Sequence, residues 1–251
     1  MDQNHRGFNI INQEYQSTQA LPVTKTFIAN VFLWMTLALA VTAVTAYWFA
    51  STPALIGSLI NILPDGRSGG FSILGWIVML APLGFVLLMS LGFQRLSPGI
   101  MTLLFIAFSI LMGMSLSFVL LIYTGSSVFK TYAVTSAMFG IMAVLGYTTK
   151  TDLTKFGSLL MMAVFGLIIA MVINMFMHSS VMEYIISVAG VLIFTGLTAY
   201  DVQKLKKIGA GITGPGQEAN VRKMSIMGAL TLYLDFINLF LFLLRFLGDR
   251  K

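Results

Sequence analysis

Seven long apolar segments constrain this chain more than any other feature. They lie at residues 27–50, 71–93, 100–123, 129–147, 157–177, 182–204 and 224–247. A helix of about 20 residues spans the roughly 30 Å of bilayer hydrocarbon, because each residue rises about 1.5 Å. The segments lack the alternation of barrel strands, and only a helix satisfies its whole backbone within one segment in lipid. The sequence therefore predicts an all-α membrane protein, a bundle of seven transmembrane helices.

Charged residues are too few to cover a soluble globule of this size. They make up 10% of the 251 residues, where soluble domains have about 25%, and the mean hydropathy is +0.89. No polar block is long enough for a second domain. We expect a polar, largely disordered N-terminal tail at residues 1–26 and a single membrane domain at residues 27–251. The first apolar segment is too long for a signal peptide, so we expect it to remain as a span.

The basic residues lie in the connections between apolar segments, a pattern that orients membrane proteins. No basic stripe with interleaved aromatic residues is present, so nucleic acid is not an expected partner. A cytoplasmic N-terminus would place ten Lys and Arg inside and five outside. The ten are Arg6, Lys25, Arg95, Lys150, Lys155, Lys204, Lys206, Lys207, Arg222 and Lys223, and the five are Arg67, Lys130, Arg245, Arg250 and Lys251. This bias predicts a cytoplasmic N-terminus, while a last helix with both ends inside stays open.

Two acidic residues lie within the last two apolar segments. A central Asp costs at least about 2.5 kcal/mol on insertion scales, so such residues are usually functional. Asp235 lies about 10 Å into its span if the apolar core begins near Gly228. Asp201 lies about one turn before the cytoplasmic end of its span. Because the two helices are consecutive and antiparallel, we expect the carboxyl groups to meet in the cytoplasmic half of the membrane.

Each aspartate has polar neighbours on the same helical face. Thr198 and Lys204 lie three residues before and after Asp201, and Asn238 lies three residues after Asp235. A salt bridge from Asp201 to Lys204, and a structural hydrogen bond between helices for Asp235, are the plain alternatives to a functional role.

A buried carboxyl pair has definite chemistry. Two such groups in contact can share one proton and titrate as a unit. When ionised they offer the oxygen ligands that calcium prefers. The sequence therefore predicts a site that senses protons and binds a calcium ion transiently. The sequence predicts neither a cofactor nor a group of catalytic residues, and it does not determine the pH at which such a site would change its state.

The last two spans resemble the Bax inhibitor-1 family. The resemblance rests on Thr198-Ala-Tyr-Asp-Val-Gln-Lys-Leu-Lys, on the long motif from Ala229 to Gly248 around Asp235, and on Gly146-Tyr-Thr-Thr-Lys-Thr-Asp-Leu-Thr between spans four and five. It covers the whole membrane region, and the chain looks like a bacterial member, expected in the inner membrane.

The resemblance implies two three-helix layers around a central C-terminal helix. It also implies that Asp201 and Asp235 form a hydrogen-bonded pair that gates a pH-sensitive calcium leak. Tyr200, Thr198 and Asn238 would support the pair, and Arg95, near the end of span two, would latch it.

Two other functions compete with a channel. Intramembrane aspartyl proteases also carry two aspartates on adjacent helices, one after a tyrosine, as in Tyr200-Asp201. Their second motif is Gly-x-Gly-Asp, whereas this chain has Leu232-Tyr233-Leu234-Asp235, so we do not expect an enzyme. The second alternative is a non-conducting protein that binds a membrane-anchored ATP-dependent protease or another membrane partner, as some bacterial relatives of this family do.

Overall fold

The computed structural model describes the backbone of residues 3–62, 68–212 and 218–251, and the side chains of residues 24–61, 69–212 and 218–251. Within these ranges the helices are α1 (Gln3–Ser51), α2 (Pro53–Leu59), α3 (Ile73–Gly92), α4 (Pro98–Ile122), α5 (Gly125–Thr148), α6 (Thr154–Met177), α7 (Ser180–Ala210) and α8 (Glu218–Leu247). The strands are β1 (Ile60–Ile62) and β2 (Ser68–Phe71).

All seven predicted spans are confirmed as helices. Seven helices are long and apolar enough to cross a membrane, namely α1 from Thr24 onward and α3 to α8. Several begin where a hydroxyl side chain accepts a hydrogen bond from the first helical turn, as Ser97 does from Ile100 N and Thr124 does from Ser127 N. These caps turn the chain within a few residues and make successive spans antiparallel. Connections 93–97 and 149–153 therefore share one side, the first membrane face, and segments 123–124, 178–179 and 248–251 share the second membrane face.

Two local features differ from the sequence prediction. The connection after the first span holds the short helix α2 and an antiparallel hairpin of β1 and β2, with Ile60 paired to Phe71. Helix α1 begins at Gln3, so the backbone is helical in a segment where a largely disordered tail was expected from the sequence; the separation of a tail at residues 1–26 from the membrane domain stays a prediction. A polar segment without apolar periodicity can still continue a helix that lipid stabilises, because propagation adds one hydrogen bond per residue without a new nucleation step.

Helix α8 is the most enclosed span. Of its most apolar 18-residue window, 72% is buried, against 11–33% for the other six spans. Helices α1, α4, α5 and α7 all pack against it, while the outer helices expose large apolar side chains such as Leu83, Ile141 and Phe165. These exposed apolar surfaces are suited to lipid. The arrangement of the remaining helices in two three-helix layers stays a prediction.

A buried polar cluster ties α8 to α1 and α4 near the middle of the bundle. The Thr42 hydroxyl donates to the Ser109 carbonyl oxygen at 2.9 Å and lies 2.8 Å from the Tyr233 hydroxyl. Because a threonine hydroxyl has one proton, and Thr42 gives it to Ser109, Tyr233 must be the donor of the second bond. Tyr233 is fully enclosed and packs edge-on against Phe105 and Phe108.

Candidate functional site

Two close contacts fix the register of α7 against α8. A Cβ atom at Gly190 would lie 2.5 Å from the Phe242 ring, and one at Gly228 would lie 2.7 Å from the Leu205 side chain. Because the helices are antiparallel, these contacts place residue 201 opposite residues 231–232. Asp235 then lies about one turn farther from the first membrane face than Asp201, as the sequence predicts.

Two further glycines hold α7 in place beside Asp201. A Cβ atom at Gly146 in α5 would collide with the Ala199 backbone, and one at Gly157 in α6 would collide with the Tyr200 ring. The absence of side chains at these positions lets α5 and α6 approach α7 directly before Asp201. The Asp201 carboxyl group is therefore presented from a helix that is packed on three sides.

The carboxyl groups of Asp201 and Asp235 meet, as the sequence predicts. Each residue is at most 7% exposed, and the two side chains are within hydrogen-bonding reach of each other. Among the described residues, two buried side-chain oxygens have no hydrogen-bond partner, namely Oδ2 of Asp235 and Oγ1 of Thr195. The rest of the protein thus gives Oδ2 no donor, and a proton on the facing carboxyl group would supply one.

A cavity of about 400 Å³ leads from the first membrane face to this pair. Asp201 and Thr231 lie on its wall, together with Ser90 and Gln94 from the end of α3 and Lys204 from α7. Asp235 does not line the cavity. Asp201 is therefore the member of the pair that water or an ion entering from this face would reach first.

The predicted supporting residues lie near the pair but bond elsewhere. The hydroxyl of Thr198 donates to the Phe194 carbonyl oxygen, and the Asn238 amide donates to the Leu234 carbonyl oxygen, each one turn back on its own helix. Tyr200 is half-buried against α6. These three residues shape the surroundings of the pair, and the described contacts give them no hydrogen bond to either aspartate.

The structure does not place Arg95 at the pair. Arg95 is exposed in the turn after α3, outside the cavity lining, and within the described ranges no ion pair joins it to Asp201 or Asp235. The basic residue that ties α3 to α8 is Lys223, whose Nζ donates to the Phe93 carbonyl oxygen at 2.8 Å. The positive charge of a lysine at this position is also stabilised by the negative, C-terminal end of the α3 dipole. The predicted salt bridge from Asp201 to Lys204 is likewise absent between these two described residues, although the Lys204 charge acts on Asp201 at longer range.

Connection 149–153 is clamped to the end of α7 just beyond Asp201. The Gln203 side chain accepts from Leu153 N at 2.8 Å and donates to the Thr151 carbonyl oxygen at 2.7 Å. Sequence reasoning missed this buried glutamine. The signal that could have found it is an uncharged polar residue on the buried face of a span, two residues after Asp201 inside a motif already singled out.

The same connection carries an exposed ion pair. Lys207 Nζ lies 2.6 Å from Oδ1 of Asp152. Hydrogen bonds from Lys207 and from Thr154 hold the pKa of Asp152 well below its usual range. Asp152 therefore keeps its negative charge at the membrane surface throughout the physiological pH range.

The pair by itself is a poor permanent metal site. No group of three or more His, Cys, Asp or Glu side chains converges anywhere in the part of the chain that the structure describes. Calcium usually takes six to eight oxygen ligands, so a calcium ion at Asp201 would need water or backbone oxygens for most of its shell. The arrangement suits brief contact with a cation better than storage of one.

Comparison with known proteins places this bundle in a family. A family model described as "Inhibitor of apoptosis-promoting Bax1" matches residues 24–251. The chain is 43% identical over 227 residues to the inner membrane protein YbhL of Escherichia coli K12, covering 90% of this chain and 93% of YbhL. It is 42% identical to a protein of Rickettsia prowazekii, with 90% of each chain covered, and 40% identical to one of Borreliella burgdorferi, with 94% and 97% covered. The match to the family model covers all seven spans and both aspartates, so the chain belongs to the Bax inhibitor-1 family.

Proposed function

We propose that this protein is a pH-sensitive leak channel for calcium, or a similar cation, in a bacterial inner membrane. The observation that carries the proposal is the buried pair of Asp201 and Asp235 at the inner end of a cavity that opens to one membrane face. The inner membrane location follows the relative YbhL, which is an inner membrane protein. The excess of Lys and Arg supports a cytoplasmic position for the first membrane face.

The gate would work through the charge on the pair. With one shared proton, a hydrogen bond joins α7 to α8 and supplies the donor that Oδ2 of Asp235 otherwise lacks. Loss of that proton leaves two negative charges in contact in a medium of low dielectric constant, where their repulsion is strong. Ionisation therefore favours separation of the helices and shifts a closed–open equilibrium toward the open state. On this basis, flux should rise as the pH rises through the titration of the pair.

A proteolytic role has less support. Helix α8 runs unbroken from Glu218 to Leu247 through Asp235. Leu234 and Leu232 stand where an intramembrane aspartyl protease would carry glycines. A continuous helix offers no open backbone on which to align a substrate, so we assign the pair a gating role and no catalytic one.

The test is calcium uptake into vesicles that contain the purified protein, measured across about pH 5 to 8. The parent should show pH-dependent uptake. Asp235→Asn should remove the pH dependence, because the asparagine side chain does not titrate. Asp152→Asn is the matched control, since it makes the same change at an exposed aspartate and should leave the profile unaltered. Arg95→Gln should also leave it unaltered, because Arg95 makes no ion pair with either aspartate.

Two results would overturn the proposal. One is uptake in Asp235→Asn with the same pH profile as the parent, which would remove the pair as the sensor. The other is the absence of uptake at every pH in a parent that is folded and inserted. The second result would favour a non-conducting protein that binds a membrane partner, and capture of a membrane-anchored protease would then be the next measurement.

A further inference from the structure

A second cavity lies in the opposite half of the bundle, away from the aspartates. It has a volume of about 220 Å³. Helices α1 and α4 form one wall, α5 forms the other, and Phe236 and Phe240 of α8 lie at its floor. The lining is mostly apolar, and its hydroxyl-bearing residues are Thr42, Tyr47 and Tyr132. The Thr42 hydroxyl already bonds with Tyr233 and Ser109, and Tyr47 and Tyr132 lie at the exposed mouth of the cavity. A site of this kind excludes water and ions and accepts an apolar ligand.

The cavity opens sideways into the hydrocarbon. Ala43 and Tyr47 of α1 and Tyr132 of α5 line it and are exposed on the surface that faces lipid. Its α1 wall runs from Leu39 to Tyr47, and α1 ends at Ser51. The α1 wall of the cavity is therefore about 12 Å long and lies within about 18 Å of the second membrane face, mostly inside one leaflet. A dry apolar cavity of about 150 Å³ accepts benzene, so this one has room for a segment of an acyl chain.

The rim of the cavity at the second membrane face carries the ammonium group of Lys251, which forms no ion pair with any described acidic side chain. Segment 248–251 runs along the end of α4, where Lys251 N donates to the Ile122 carbonyl oxygen. The Lys251 ammonium group donates at 2.8 Å to the carbonyl oxygen of Leu120, a residue that lines the cavity. An ammonium group has three donors, and the described contacts use one of them.

Four other charged side chains near this rim have contacts of their own. Arg250 binds Glu183 at 3.0 Å, Arg245 lies 3.9 Å from the same carboxylate, and Asp249 accepts from Ser127. Lys251 is thus a basic group of the described structure that forms no ion pair, contacts a residue of the cavity and remains available to an anion from the membrane surface. The anion present at that depth is the phosphate of a phospholipid headgroup. In a zwitterionic headgroup the lipid's own ammonium group balances that phosphate, so a headgroup with a net negative charge suits Lys251 best.

We propose that this cavity binds one anionic phospholipid, with an acyl chain between α1 and α5 and the headgroup phosphate at Lys251. Two independent observations converge on it: a dry cavity that opens into one leaflet, and an unpaired ammonium group at the headgroup end of that cavity. The site does not depend on cation conduction, because its lining shares no residue with the cavity that leads to the aspartate pair.

The experiment uses the whole protein in phosphatidylcholine vesicles that contain a minor fraction of phosphatidylglycerol. In one sample the phosphatidylglycerol carries a photoactivatable group at the end of an acyl chain, and in a second sample the phosphatidylcholine carries it. After irradiation, mass spectrometry of peptides locates the label. We expect the phosphatidylglycerol probe to label residues 39–47 and 116–120 several-fold more than the lipid-facing surface of α6, and more than the phosphatidylcholine probe does.

Two variants with matched controls test the two halves of the site. Ala43→Phe fills the cavity from an exposed position and should reduce the labelling several-fold, whereas Ala137→Phe, also exposed but on α5 away from the cavity, should not. Lys251→Gln should make the two probes label the cavity equally, whereas Lys130→Gln, an exposed lysine outside the cavity, should preserve the preference. Retention of the parent's thermal unfolding transition shows that each variant is folded.

Uniform labelling of all lipid-facing helices would overturn the proposal. Equal labelling of the cavity by both probes in the parent would overturn the anionic headgroup. Unchanged labelling in a folded Ala43→Phe variant would overturn the cavity as the place where the acyl chain binds.

Discussion

The buried hydrogen bond between Tyr233 and Thr42 allows us to predict which of two single variants destabilises the protein more, and by how much each does so. Tyr233 donates to Thr42, and Thr42 donates to Ser109. In Tyr233→Phe, Thr42 keeps its own donor bond and loses one donor to its oxygen, at a cost of about 1 kcal/mol in the free energy of unfolding. In Thr42→Val, a buried phenol loses its acceptor, and the cost of leaving that proton unsatisfied is about 1–3 kcal/mol.

The double variant should cost less than the sum of the two single variants. With both hydroxyl groups gone, neither leaves a buried partner unsatisfied, so the coupling free energy measures the bond itself. Hydrogen bonds between membrane helices have coupling energies that average about 0.6 kcal/mol and reach about 1.7 kcal/mol. We expect a value in that interval, toward its upper end because both residues are at most 3% exposed.

Equilibrium unfolding in mixed micelles with increasing SDS, followed by circular dichroism, would provide the four free energies. Thr36→Val is the control for threonine, since its hydroxyl bonds only to Phe32 on its own helix and its loss should cost little. Tyr132→Phe is the control for tyrosine, because the exposed Tyr132 side chain has no hydrogen bond in the described structure. A coupling energy indistinguishable from zero, or a larger cost for Tyr233→Phe than for Thr42→Val, would refute the assigned donor order.

Two further predictions concern packing and surface charge. Gly146→Ala should destabilise the protein by about 1–3 kcal/mol, because its new methyl group meets the Ala199 backbone and no side-chain rotation can make room for it. Gly140→Ala on the same helix meets open space and should stabilise the protein by about 0.5–1 kcal/mol. Equal effects of the two variants in the SDS titration would contradict the assigned contact. Because the folded-state pKa of Asp152 lies below the unfolded value of about 3.9, its ion pair stabilises the fold above about pH 4 and is lost as the pH falls further. Thermal unfolding temperatures measured between about pH 6 and 3 should therefore fall more in the parent than in Asp152→Asn, and parallel curves would refute this.

The spans and the aspartate pair were predictable because both follow from the free energy of placing particular residue types in lipid, which can be judged from the sequence alone. A long apolar segment has few alternatives to a membrane helix, and an acid within such a segment must find a partner. The antiparallel order of consecutive spans then placed Asp201 and Asp235 at nearly the same depth, and the glycine contacts of α7 and α8 set the offset at about one turn.

The remaining features depend on helix rotation and register, which hydropathy does not determine. Tyr233 lies two residues from Asp235, yet only the packing of α1 shows that its hydroxyl reaches Thr42. The family resemblance implied that Arg95 would latch the pair, but the turn after α3 directs it to the surface. The hairpin of β1 and β2 lies in a connection rich in Gly and Pro, where turn chemistry, and not apolar periodicity, decides the structure.

The packing around the aspartates also limits how a gate could move. Helix α7 is held to α5 and α6 by the backbone approaches at Gly146 and Gly157. Helix α8 is held to α1 and α4 through Tyr233, and to the end of α3 through Lys223. Repulsion between the aspartates acts across the boundary between these two sets of helices. Moving α7 alone would break the contacts at both glycines, whereas moving α5, α6 and α7 together preserves them. If the pair gates the proposed channel, a movement that keeps both glycine contacts would shift α5, α6 and α7 as one group and would instead break the contacts of Tyr132 and Phe139 with Phe236 of α8.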